Sequence, residues 1–181
     1  MQANRRFDKH NSATESAIAQ LFQKFPTNTR VSQVLLKVLV LNKLYSTQIR
    51  DVDIEIIARH IVSSQIDGLL SNGLPKAVEL VAKVKIEEKI RNNYSFATKY
   101  CNWHNRNCFA MYDSNVDYSL WAYKKKSSFA NFYHKDLWDY EKFLQIMKAF
   151  RSFYGLSSVS FKRLDKFLWL LGKKLRGGAV I

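Results

Sequence analysis

The chain has 181 residues, 47% apolar and 14% aromatic, which is ample material for one core of ordinary size. Its 29 Lys and Arg stand against 15 Asp and Glu, and the resulting charge of +14 favours polyanions, with nucleic acid foremost. No apolar run reaches bilayer length, MQANRRFDKHNS lacks the apolar centre of a signal peptide, and two cysteines build no disulfide framework, so the expectation is a cytoplasmic chain without membrane contact.

Only two prolines, Pro26 and Pro75, and six glycines punctuate the chain, too few for a fold of tight hairpins. The expectation is an all-α, single-domain helical bundle over residues 1–181, with 1–11 as a flexible arm, 176–181 as a flexible tail, and a monomeric state. Ser12 and Glu15 form a capping-box pattern before Ala17, Ile18, Leu21, Phe22 and Phe25, a helical stripe that Pro26 ends. From Ser32 to Thr47 the chain is apolar on nearly every side, which predicts a helix through the middle of the domain. Further helices are predicted over Asp51–Gln65, Leu74–Ile86, Ser95–His104, Ser114–Lys125, Asp136–Tyr154 and Ser160–Leu175, with Gly155 as a left-handed C-terminal cap.

Chemistry concentrates between Tyr94 and Tyr123, where an apolar helix leads through a polar loop to Asp113 at the start of another helix. An Asp in that position faces the positive end of the helix and accepts hydrogen bonds from free amides, so it stays ionised at neutral pH. A fixed carboxylate in a basic protein suits stabilisation of a sugar cation; an N-cap without further function is the plainer reading of the same residue. Cys101, His104 and Cys108 offer soft metal ligands on one segment, but a fourth is missing and His10, His60 and His134 are distant in sequence, so no metal is expected.

This order of parts, a buried helix with a polar end, several short helices, a helical hairpin and then Asp113, resembles the helix-hairpin-helix DNA glycosylase superfamily over roughly residues 30 to 125. Met111, Tyr112, Asp113, Ser114, Asn115 and Val116 stand where that family has a hydrophobic step and Asp-Thr-His-Val. The resemblance implies that Asp113 is the catalytic aspartate. The Schiff-base lysine of bifunctional members falls at Ser95, so a monofunctional enzyme without a lyase step is implied. The family's phosphate-gripping hairpin falls near Ile90 to Ser95, where Arg91, Asn92, Asn93 and Tyr94 include no glycine.

The resemblance further implies a base pocket from Asn42, Tyr45, Tyr112 and Ser95, with Gln48 as the gap filler. Arg91, Asn92, Asn93 and Lys99 are the expected contacts to the DNA backbone. Duplex DNA is the implied substrate, and no cofactor is required; four cysteines for an iron-sulfur cluster are not present. The resemblance leaves the excised base open between a damaged purine and a bulky modified pyrimidine of the kind attacked by anti-phage members. Two alternatives stay open: a non-catalytic nucleic-acid-binding protein, and a helical interaction or defence regulator that meets an acidic protein.

Overall fold

A computed structural model describes residues 2–177, with side chains from residue 13 onward; residues 178–181 of the expected tail lie outside the described residues. The chain divides into two compact units, one spanning Ala13–Phe109 and the other built from Ala110 onward with the first twelve residues, where the sequence suggests one domain. No proline- or glycine-rich linker marks the division, so composition carries no sign of it.

Helix α1 (Gln2–Lys24) begins before Ser12 and takes in residues read as an N-terminal arm. In the first unit it buries Ile18 and Phe22, and it is followed by α2 (Val31–Tyr45), a short 3-10 helix (Asp51–Asp53), α3 (Ile54–Ser63), α4 (Asp67–Ser71) and α5 (Lys76–Ala82). Antiparallel strands β1 (Lys83–Ile86) and β2 (Lys89–Asn92) come next, and α6 (Tyr94–His104) closes the unit. The mainly helical character matches expectation, with two corrections.

The helix predicted over Leu74–Ile86 stops at Ala82. Beyond it Val84 and Ile86 are buried between exposed Lys83 and Lys85, a two-residue period that a strand satisfies and a helix does not. Glu87, at φ 56°, turns the chain so that Ile86 pairs with Lys89 and Lys83 with Asn92. A β-hairpin therefore stands where the helical hairpin was expected. The second correction concerns α2, which is not buried all round. It turns Val34, Val38, Leu41 and, unexpectedly, Lys37 inward, while Leu36, Leu39 and Leu44 stay more than 40% exposed.

The second unit contains α7 (Ser114–Ser127), a 3-10 helix (His134–Trp138), α8 (Tyr140–Phe153) and α9 (Phe161–Leu175). The helix expected from Asp136 starts later because Asp139 is extended and its carboxylate accepts a hydrogen bond from the Lys142 amide, making it the N-cap of α8. Gly155 has φ 63°, and the Leu156 amide donates to the Arg151 carbonyl at 2.7 Å, so α8 ends in the expected left-handed cap. Helices α7 and α9 pack closely: a Cβ on Gly172 would lie 2.1 Å from the Asn115 carbonyl oxygen, and Ser119 Oγ donates to the Leu168 carbonyl. Only glycine permits that approach to the first turn of α7. No helix among the described residues is long and apolar enough to cross a membrane.

Candidate functional site

In the first unit, α6 is buried over most of its length, and Lys99 with it, at 3% exposure. That burial overturns its expected role as a backbone-contacting lysine. Its ammonium donates to Ser95 Oγ at 2.6 Å and lies 5.7 Å from the centre of the Tyr45 ring. The Tyr45 hydroxyl accepts a hydrogen bond from the Trp103 indole at 3.0 Å.

Asn42 is committed elsewhere. Its amide nitrogen donates to the Ile49 carbonyl, and its oxygen accepts from Thr47 Oγ1 and from the Ile49 amide, so its polar groups close the turn after α2 instead of reading a base. Gln48 is exposed in that turn at φ 62°. Arg91 and Asn92 lie on β2, a strand exposed at each of its four residues. Arg91 approaches Asp53, at 4.0 Å, beside the closer Arg50–Asp53 pair. Asn93 precedes α6, and its amide donates to the Ala82 carbonyl.

The sequence reading misses the polar interior of this unit. Lys37 is wholly buried, and its ammonium donates to the Phe25 and Thr27 carbonyls and to Asn28 Oδ1 at 2.8 to 3.1 Å, with His104 Nε2 at 3.3 Å. Tyr100 also donates to Asn28 Oδ1, while the Asn28 side chain and amide donate to Asp67. Burial pushes the Lys37 pKa down to about 8, against the opposing pull of Asp67. Burial and the neighbouring Lys37 charge push His104 down to about 3, so its ring is neutral. A shallow cleft of about 490 Å³ opens beside His104, Phe22, Trp103 and Arg106, and the Arg106 guanidinium lies 3.9 Å from the Trp103 ring centre.

Cys101 is buried in the same unit, and its thiol pKa is pushed far up by that burial. Among the described residues, no group of three His, Cys, Asp or Glu side chains is placed to hold a metal ion.

In the second unit Asp113 is extended, at φ −149°, and its carboxylate accepts from the Asn115 amide at 3.0 Å as the N-cap of α7. Tyr112 does not present its hydroxyl as an unengaged edge. It donates to Asp117 Oδ2 at 2.7 Å and accepts from the Trp138 indole at 2.9 Å, and burial with the Asp117 bond pushes its pKa well up. His134 Nε2 meets the other oxygen of Asp117 at 2.6 Å, and its ring lies 4.9 Å from that of Trp121. Around this network, Lys124 lies over Trp121, Phe132 and Tyr133, Lys125 over Trp121, and Lys135 over Tyr133. The alternation of lysines and aromatics from Trp121 to Trp138 was the available signal for this cluster.

The family model HI_0787_N, described as an N-terminal domain, matches residues 1–108, and its end falls beside the boundary of the first compact unit at Phe109. The chain belongs to the HI_0787_N family. A Haemophilus influenzae protein described as uncharacterized is 37% identical over 149 residues, covering 82% of this chain and 70% of its own length. An alignment of that length cannot fit within the HI_0787_N match, so the likeness extends into the second unit. No solved structure gives a significant match. Lys99, Ser95, Tyr45 and the Lys37 network lie inside the HI_0787_N domain, whereas Tyr112, Asp113 and the aromatic cluster lie beyond it.

Proposed function

We propose that this protein is a DNA glycosylase, which extrudes a modified base from duplex DNA and breaks its glycosidic bond. The observation that carries the reading is Asp113, a carboxylate fixed by the Asn115 amide at the positive end of α7 in a chain of charge +14. Cleavage of a glycosidic bond builds positive charge on the deoxyribose, and a preorganised carboxylate stabilises that charge without reorganisation. Phosphate contact, which the helix-hairpin-helix superfamily draws from its helical hairpin, falls here to the exposed Lys89 and Arg91 of β2.

With Ser95 where bifunctional members carry a lysine, water is the nucleophile. Its oxygen bonds to C1′ as the glycosidic bond breaks, the base departs with the electron pair, and Asp113 takes the proton, which leaves an intact abasic strand.

Labelled duplexes carrying damaged purines or bulky modified pyrimidines test both groups. Wild-type protein releases base and leaves an alkali-labile abasic strand that borohydride does not trap; Asp113→Asn loses release while retaining its fold and DNA binding, and Ser95→Ala changes release little. A borohydride-trapped adduct would overturn the purely hydrolytic course expected from Ser95. Full release by Asp113→Asn would leave that residue as a cap alone. Salt-dependent DNA binding without release on any substrate would favour the non-catalytic nucleic-acid-binding reading, and binding absent at low salt would remove DNA altogether.

A further inference from the structure

We infer that the second unit carries a separate binding face for single-stranded nucleic acid, on which bases stack against Trp138, Tyr133 and Trp121. The inference does not require base release or Asp113. Trp138 is 61% exposed and Tyr133 73% exposed, a placement that packing does not explain for rings of this size. Trp138 is nonetheless held: its indole donates to Tyr112, Tyr112 donates to Asp117, and Asp117 meets His134. An exposed ring locked by its edge presents its face without a large cost in side-chain ordering.

The surrounding charge fits a phosphate chain. Lys124, Lys125 and Lys135 each lie within 6.0 Å of the centre of a ring in this cluster. Two neighbouring carboxylates are already engaged, Asp117 by His134 and Tyr112, and Asp136 by Lys142 and the Tyr133 amide. An exposed cation–ring contact is weaker than a base stacked on an aromatic side chain, so bases displace Lys125 and Lys135 from the rings and phosphates receive them, while Lys124 stays bonded to the Phe132 carbonyl. Duplex DNA offers no such exchange, because its base faces are already stacked. Single-stranded segments are therefore the preferred ligand, and sequence preference is low because every base has a π-face.

Anisotropy of the full-length protein with a labelled mixed-sequence 15-mer, as single-stranded DNA, single-stranded RNA and blunt duplex DNA, tests this at one fixed salt concentration. The expected result is tighter binding of single strands than of duplex. Trp138→Ala weakens single-strand binding about tenfold, Tyr133→Ala weakens it about fivefold, and Trp138→Phe recovers most of the loss. Quenching of tryptophan fluorescence on single-strand addition is lost largely in Trp138→Ala. Thermal melting verifies that these surface variants remain folded. Equal affinity for single strands and duplex, or single-strand binding unchanged in both alanine variants, overturns the inference. Neither result bears on base release, which is read on duplex substrates with the Asp113 and Ser95 variants.

Discussion

The polar network around Lys37 in the first unit and the one around Asp117 in the second are built from similar groups but have different consequences. Lys37 is inaccessible and surrounded by carbonyls and an amide oxygen, so its charge holds the Phe25–Asn28 turn. The Asp117 network ends at Trp138 and His134, which face solvent. Hydrogen bonding alone therefore does not mark a binding site. A closed network specifies the fold, and an open one of the same chemistry can orient a ring for a ligand.

Breaking the closed network carries the largest expected effect. Lys37→Met keeps the apolar stem but leaves the Phe25 and Thr27 carbonyls without their buried donor and Asn28 Oδ1 with Tyr100 alone. Relief of the buried charge offsets part of that loss, and a net destabilisation of about 3 kcal/mol is expected in urea unfolding. An unchanged urea midpoint would show that the network is dispensable and would erase the contrast with the second unit.

A smaller effect comes from acid. His104 has its pKa lowered to about 3 in the folded chain from an ordinary value of 6.5, so below pH 6.5 the unfolded chain binds a proton that the folded one refuses. Stability is intact above that value and is lost as pH falls toward 3. Between pH 6.5 and 5 the expected loss from this group is about 2 kcal/mol, and His104→Gln should remove that share of the slope. An identical acid slope in the variant would assign acid sensitivity to other groups.

The open network should respond least. Tyr112→Phe deletes one partner of buried Asp117, which keeps His134, and one of the exposed Trp138 indole, which water can replace, at a cost of about 1 kcal/mol. Its stability loss should be well below that of Lys37→Met, while single-strand affinity falls because Trp138 loses its anchor. A stability loss equal to that of Lys37→Met would make the Asp117 network structural as well.

Features set by a few neighbouring residues were legible. Asp113, Ser160 and Gly155 occupy the predicted helix ends because capping depends on side chains one to four residues apart. The amphipathic courses of α1, α8 and α9 follow from apolar spacing in the same way. Even the contact of Lys99 with Ser95 lies within one helical turn and was available from spacing. The β-hairpin was harder, because Val84 and Ile86 continue an apolar segment and only their burial between exposed lysines distinguishes the periods.

Tertiary structure decided what sequence leaves equivalent. One lysine of α2 turns inward because carbonyls ten or more residues earlier and a histidine far later in the chain converge on it. Asn42 becomes a turn clamp because the chain folds back to bring Ile49 against it. Trp138 becomes a fixed exposed ring because Tyr112 and Asp117, distant from it in sequence, meet its edge and its neighbour His134. Local propensity chooses helix or turn, but whether a polar side chain is spent on the fold or left facing solvent depends on partners brought together only by the folded chain.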